Sequence, residues 1–520
     1  MNETSIPLIV SVTGHRDLIK EDEPILRERV KGFFFELKEQ NQNTNIILIS
    51  ALAEGADMLV AEVALEIGVE LIAVLPYQKE AYLQSFDDVS EIARFEELYS
   101  RATFRKTLQK DKSGGYEALA DYLAKHSNIL LALWDGDDSE PKVGGTADVI
   151  LKKRREYVEN LLDVNEEDMI VHLRTPRVKN PNIKNPYEIE NEYMGRIEER
   201  DYRSILGHLD RLNSLLNDTN STVISVDGLQ KTFSNEANYY QKRYNIFSFF
   251  MLCMAFLALL FMEIVHNFGT TKESHIVELT FLIGYFVVVI LMFVFYYGFF
   301  KNADLEKHFA HSRGMSEALR VQGFWFCIDK EPQRAGDYYL LDEVSELVWI
   351  RVVLKNIYFL ETLQQDRSID FECIKVDWID EQINYYENAI RNRKRKLSFL
   401  KDIEQKVYML GAVLTIGLFI YYSFTGFGKL CHPLLFASGV SFAVAAFIGE
   451  KYLPIKGYEE EIHNFKLMFY NFSMAKDRLE MTEDIAQQKK IIYDLGEKAL
   501  QENSRWLVYH SKYKIEPIVE

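Results

Sequence analysis

Apolar positions along this chain follow two different rhythms. In the first 175 residues, apolar runs five to seven residues long alternate with helical spacings. Pro7–Thr13 is one such run, broken at Gly14, and Asn45–Ile49, Val69–Leu75 and Ile129–Trp134 are others. Between them, Pro24–Lys38, Gly55–Gly68, Tyr116–His126 and Ala147–Glu159 set apolar residues three and four apart, with Gly68 as a helix stop and Pro76 closing its strand. Strands apolar along their whole length are buried on both faces. The pattern therefore predicts an α/β, Rossmann-like domain over 1–175, its parallel sheet covered by helices.

Beyond residue 245 the rhythm changes. Ile246–Met262, Leu279–Phe300, Tyr408–Phe424 and Pro433–Gly449 are continuous apolar runs of 17, 22, 17 and 17 residues, arranged as two close pairs. Crossing hydrocarbon takes roughly 17–25 residues. Tyr296, Tyr297, Tyr421, Tyr422 and Tyr452 crowd the ends, as an interfacial belt does. A soluble core helix accounts for one such run but not for four in two hairpins. The expected organisation is a helical linker at 176–244, a first transmembrane hairpin at 245–300 and a cytosolic helical domain at 301–406. A second hairpin follows at 407–450, then C-terminal cytosolic helices at 451–520. The middle segment keeps a helical period through Leu305, Phe309, Met315 and Leu319, then through Leu340, Val344, Leu347, Val348 and Arg351. Glu459–Glu502 does the same, and both are expected to pack on each other or on a partner subunit.

Charge adds orientation. The short loops of the two hairpins carry one lysine each, Lys272 and Lys429, whereas the other flanks hold Lys242, Arg243, Lys301, Lys307, Lys401, Lys406, Lys451, Lys456 and the cluster Arg391–Lys396. The positive-inside rule then places both tips outside, and both termini with the middle segment in the cytosol. The cluster Arg391–Lys396 is expected to attract anionic headgroups at the inner face. Met1–Ser5 has no basic n-region, so no cleaved signal peptide is expected. The entries and exits of the hairpins repeat: Gln241-Lys242-Arg243-Tyr244 against Gln405-Lys406-Val407-Tyr408, and Lys301, Asp304, Glu306 and His308 against Lys456, Glu459, Glu461 and His463. The small-residue run Ala437–Ala443 suits close contact between helices. No run holds a central charge, which weighs against an ion-coupled transporter.

Composition excludes two classes. With 48% hydrophobic and 27% charged residues the chain is not mainly disordered, and a formal net charge of −18 argues against nucleic acid as a partner. Four scattered cysteines, without a CxxC pair, spell neither a disulfide scaffold nor a zinc cluster.

In an open parallel sheet, ligands bind beyond the carboxyl ends of the strands. The unusual residues of the first domain fall there: Thr13-Gly14-His15-Arg16-Asp17, Ser50 to Asp57, Pro76-Tyr77, Asp135-Gly136, and Val143-Gly144-Gly145-Thr146-Ala147-Asp148. Glycines ahead of a helix let backbone N–H groups approach an anion at its positive end. Arg16 offers a fork for phosphate, Thr146 a hydroxyl donor, and His15 a partner for a ribose or base. Turn chemistry alone is the competing reading.

These strings, taken as Val12–Leu18, Ala53–Asp57, Ala73–Pro76, Leu133–Gly136 and Gly144–Asp148, resemble the SLOG superfamily. That group takes in the Smf/DprA and LOG proteins and the nucleotide-sensing domains of TRPM channels. The resemblance spans about a third of the chain. The membrane part is similar to SLATT-type modules, two-helix membrane units with a following cytosolic helix, and the tail Asn503–His510 adds to that likeness. Together the architecture resembles SLOG–transmembrane effectors of bacterial antiphage systems.

The resemblance implies a homo-oligomer of the bacterial inner membrane that senses a nucleotide second messenger, ADP-ribose-like or cyclic, without a further cofactor, and gates a pore or disrupts the bilayer. The implied ligand-binding residues are Thr13, Gly14, His15, Arg16, Ser50, Glu54, Gly55, Asp57, Pro76, Asp135, Gly136, Gly144, Gly145, Thr146 and Asp148. LOG enzymes, which cleave the N-glycosidic bond of nucleoside monophosphates, carry Gly-Gly-x-Gly-Thr-x-x-Glu at the last loop. Here Val149 stands three positions after Thr146, and Asp148, at plus two, points about 100° away on a helix. Binding without cleavage is therefore expected, with no catalytic or metal-ligating residue. The alternatives are a membrane-tethered nucleotide N-glycosidase using Glu54 or Asp148, and a structural membrane scaffold.

Overall fold

A computed structural model describes residues 5–512 apart from 87, 140, 160–167, 195–197, 219–224, 269–274, 301–304, 339–347, 364–368 and 429. Leu340, Val344 and Leu347 of the expected helical period lie outside the described residues, as do Lys272, Lys301, Asp304 and Lys429. Seven strands are described: β1 Leu8–Gly14, β2 Ile46–Ser50, β3 Glu70–Leu75, β4 Phe104–Thr107, β5 Ile129–Trp134, β6 Met169–Arg174 and β7 Ile189–Tyr193. The helices of the first half are α1 Glu23–Gln40, α2 Ala56–Glu66, α3 Lys79–Leu83, α4 Val89–Arg101, α5 Gly115–His126, α6 Thr146–Glu159 and α7 Glu199–Asp218. Those of the second half are α8 Val226–Phe268, α9 His275–Phe295, α10 Leu305–Phe326, α11 Val348–Leu363, α12 Phe371–Thr425, α13 Cys431–Ala446, α14 Tyr458–Met481 and α15 Ile485–Lys512. The chain divides into two compact units, Met1–Gln230 with Ala318–Ser368, and Lys231–Glu317 with Ile369–Glu520.

The first unit is built on one sheet in the order β4-β3-β2-β1-β5-β6-β7. β1, β2, β3 and β5 lie where the apolar runs place them, and every residue of β2 and β5 is buried. The sheet is mixed rather than wholly parallel, because β7 runs antiparallel to β6. Neither edge strand carries an apolar run. Phe-Arg-Lys-Thr and Ile-Glu-Asn-Glu-Tyr are short and charged, as edges exposed to water tend to be.

This unit is larger than residues 1–175. Helix α11, from the segment between the apolar hairpins, belongs to it, and nearly all its side chains are buried. Phe359 and Leu363 join the core made by Ile9, Ile47, Leu123 and Leu130. Two of the buried polar residues of α11 meet partners at the amino ends of the strands, while Glu361 accepts from Val226 N at 2.8 Å and the Tyr358 hydroxyl donates to Pro332 O at 2.9 Å. Asn356 Nδ2 donates to Pro7 O at 2.7 Å, and Lys355 Nζ donates to Ser127 O at 2.9 Å and to both oxygens of Asp168. Lys153 Nζ also reaches Asp168 and donates to Ala124 O at 2.7 Å. Burial pushes the Asp168 carboxyl up, but the two ammoniums outweigh that and hold it below the usual range. The amino ends of β1, β5 and β6 are thus sealed by α11 and α6.

The second unit carries the four apolar helical stretches, within Val226–Met262, Glu278–Gly298, Phe371–Thr425 and Cys431–Glu450. Of the most apolar 18 residues in each, 6% are buried in the first three and 22% in the fourth, so the chain itself leaves these stretches largely uncovered. They are long and apolar enough to cross a membrane. The second hairpin closes through small residues. Ser438 and Ser441 are buried, and a Cβ on Gly411 would lie 3.2 Å from Ser441 Cβ and the Phe442 ring. Both α9 and α13 run on into a π-type turn, Tyr296–Phe300 and Phe447–Tyr452, each with glycine third. The recurrence extends the repeat seen in the sequence.

The basic cluster and the tail motif both find protein partners in the second unit. Because α12 is one helix, Lys394-Arg395-Lys396 stands about 20 Å along its axis before Tyr408, at 1.5 Å per residue. Within the protein, Arg391 pairs with Glu387 and Arg393 with Glu461. The tail motif docks on α10: Asn503 Nδ2 donates to Gly314 O at 3.3 Å, and Trp506 stacks under Arg313, 4.2 Å from guanidinium carbon to ring centre.

Candidate functional site

The order of the strands makes a switch point. The chain lays down β1 to β4 toward one edge, then returns to place β5 against the other side of β1. Gly14 and Leu133 are partners at the ends of these two strands. The residues just beyond, His15 and Asp135, therefore face each other across the crevice where a ligand would enter.

They are already engaged. His15 Nε2 lies 2.9 Å from Asp135 Oδ1, while Arg177 Nε and Asn180 Nδ2 donate to Oδ2 at 2.8 and 3.1 Å. Burial pulls the His15 pKa below its ordinary value against the pull of Asp135. Burial pushes Asp135 up, but hydrogen bonds from Asn180 and His15 hold it below the carboxylate range. The loop after β6 is tied down here too, since Val178 N donates to Asp17 O at 2.9 Å. The crevice between β1 and β5 is filled by a polar clasp.

Arg16 points the other way, over the ends of β2 and β3. Its side chain is 39% exposed and lies 3.9 Å from Glu54. Its amino groups donate to Ser85 O at 3.3 Å and to the Tyr116 hydroxyl at 3.4 Å, and Tyr116 meets Tyr77 hydroxyl to hydroxyl at 3.1 Å. Around it are Asp57, fully desolvated, with its carboxyl pushed up to about 7 by burial, and Tyr82, whose buried hydroxyl has no hydrogen-bond partner among the described residues. An incompletely paired guanidinium beside a buried acid and tyrosine hydroxyls suits an oxyanion such as phosphate.

Three glycines bring these loops together. A Cβ on Gly14 would collide with Ala56 Cβ. At Gly55, with φ +79°, it would meet Arg16 O at 2.5 Å, and at Gly144, with φ +71°, it would strike Tyr116. Pro76 ends β3 and accepts from Gln109 N at 3.1 Å. Ser50 Oγ, buried, accepts from Leu52 N at 3.0 Å, and Thr13 is buried inside β1.

The last loop is less open than its glycines imply. Gly144 N donates to Asp148 Oδ2 and Gly145 N to Lys142 O, both at 2.8 Å, so these amides and that carboxylate are spent inside the turn. Thr146 is buried at the start of α6. Gly136, at φ +87°, has the His172 ring as its neighbour.

Ten of the fifteen expected residues fall into three groups, while Thr13, Gly14, Ser50, Pro76 and Gly136 shape the strand ends and turns around them. Arg16, Glu54, Gly55 and Asp57 form the open one, His15 and Asp135 the closed clasp, and Gly144 to Asp148 a self-capped turn joined to Arg16 through Tyr116. Sequence reasoning missed Tyr82, Ser85, Tyr116, Arg177 and Asn180. Tyr116 carried a signal, since the pair Gly114-Gly115 opens its helix, much as Gly144-Gly145 stands just ahead of α6. Among the described residues no group of three His, Cys, Asp or Glu side chains is placed to hold a metal ion. No protein-family model matches the chain, and no curated protein matches it.

Proposed function

We propose that this chain is a nucleotide-sensing membrane effector, in which a phosphate-bearing nucleotide, ADP-ribose-like or cyclic, binds over Arg16 and biases the state of the apolar helices. The carrying observation is the half-exposed Arg16 guanidinium at the strand ends, bonded to the Tyr116 hydroxyl, which in turn meets that of Tyr77. Its attachment to four apolar helices without a central charge favours an effector over an ion-coupled transporter. Ligand must bind the two states of the protein unequally to shift them, and four helices per chain call for a homo-oligomer if a pore is enclosed.

The test is thermal unfolding of the full chain in detergent micelles with ADP-ribose, its cyclic isomers, NAD and cyclic di- and trinucleotides. A ligand at a hundredfold excess over its dissociation constant stabilises by about 2.7 kcal/mol. Stabilisation that disappears in Arg16→Ala supports the reading. Stabilisation that persists in that variant, or none from any member of the panel, counts against it.

One observation favours a second reading, a membrane-tethered nucleotide hydrolase. Asp57 is a buried carboxyl beside Arg16 whose pKa of about 7 suits a general acid better than Asp148, which is held by Gly144. Release of free base from a bound nucleotide, lost in Asp57→Asn, would promote it.

A further inference from the structure

A cavity lies on the first unit away from the strand ends. Helices α1 and α7 stand apart over β6 and β7 and leave a cavity of about 350 Å³ between them, large enough for a small organic molecule. Its floor is apolar and aromatic: Phe33 and Leu37 from α1, Met169 and Val171 from β6, and Tyr193 tilted against Tyr202 with ring centres 5.6 Å apart. Ile189 on the same face of β7 is left 37% exposed.

The wall holds an unexplained glycine. Gly32 sits in the middle of α1, where glycine costs roughly 1 kcal/mol relative to alanine. A Cβ there would meet nothing within 4 Å, so no neighbouring atom of the fold requires it. Glu28 and Glu36 flank Gly32 by one turn on each side, and both line the cavity. Across the gap Glu199 pairs with Arg203 at 2.6 Å and cancels its charge. Three carboxylates against Arg29 and Arg203 leave the rim net acidic.

We infer that this cavity is a binding site for a small aromatic amine, its ring on the apolar floor and against Tyr193, its ammonium at Glu36 and Glu28. An acidic rim repels polyphosphates, so the site is separate in ligand class from the one over Arg16 and does not depend on it. Aromatic walls add cation–π attraction for an ammonium.

Equilibrium dialysis of the full chain in detergent micelles against tryptamine, indole-3-acetate and uncharged 3-methylindole tests this, with protein-free micelles as the blank. Saturable retention of tryptamine over indole-3-acetate is expected. Gly32→Leu, which fills open space and raises helix propensity, should weaken both tryptamine and 3-methylindole by at least about tenfold while the unfolding midpoint is kept. Glu36→Gln should weaken tryptamine and leave 3-methylindole unchanged. Equal retention of tryptamine by wild type and Gly32→Leu, retention of indole-3-acetate as strong as that of tryptamine, or no saturable retention at all would overturn the inference.

Discussion

Lys355 donates to both carboxylate oxygens of Asp168, at 2.8 and 2.6 Å, across 187 positions of sequence. Both side chains are buried, and Lys153 completes the group from α6. The contact holds a helix from between the apolar hairpins against the amino end of β6. The first unit is therefore assembled from two separate stretches of chain.

Removing the shared acid should be costly. Asp168→Asn leaves two buried ammoniums without a counter-charge, and breaking a buried pair this way costs about 3–5 kcal/mol. Lys355→Met keeps the Lys153–Asp168 pair and should cost less. Chemical unfolding of the full chain, with the Asp168→Asn midpoint well below that of Lys355→Met, is the expected result.

Gly144 is both left-handed and pressed on Tyr116. Alanine there meets a strained backbone and a clash, for a loss of roughly 1–3 kcal/mol. Since Tyr116 holds Arg16, Gly144→Ala should also weaken any ligand that Arg16→Ala abolishes. Titrating the same ligand against both variants checks the link.

The pH dependence of stability has two arms. His126 is fully buried among Tyr122, Tyr358 and Phe359, and burial sets its pKa well below the ordinary 6.5. The unfolded chain then takes up a proton that the folded chain refuses, so stability falls as pH drops below about 6.5. Asp57 works in the opposite direction. Its folded pKa of about 7 lies above the unfolded value near 3.8, so its protonation favours the folded state in acid, and that contribution is lost as pH rises from about 4 through 7. Asp57→Asn should therefore gain stability over wild type at pH 8 and little at pH 4. His126→Phe should flatten the decline below pH 6.5. Unfolding midpoints measured from pH 4 to pH 8 would show both.

Topology is open to direct labelling. In a cysteine-free background, His275→Cys and Gly428→Cys at the hairpin tips should react with an impermeant maleimide added outside intact cells. Lys394→Cys should react only after permeabilisation. Labelling of all three from one side would remove the hairpin arrangement.

Local pattern carried much of the architecture. Runs such as Ile129–Trp134 and Leu279–Phe300 declare strand or membrane-length helix because burial on both faces, or in hydrocarbon, demands unbroken apolar residues. The loops at the strand ends were legible for the same reason, since glycine before a helix has a local steric meaning. What the loops do with their side chains was not. His15 meets Asp135 across 120 positions and Asn356 meets Pro7 across 349. Nothing near any of these residues in sequence specifies the partner. Such pairs form because packing α11 on the sheet, and the β6 loop on the switch point, buries polar groups that must then be satisfied. The sequence by itself therefore determined the four strands β1, β2, β3 and β5, the helices α1, α2 and α5 between them and the apolar hairpins, but not β4, β6 and β7, which have no unbroken apolar run of that kind. Only the tertiary structure decided that His15 and Asp135 close the crevice while Arg16 stays open, because desolvation cost is a property of the assembled fold rather than of any stretch of chain.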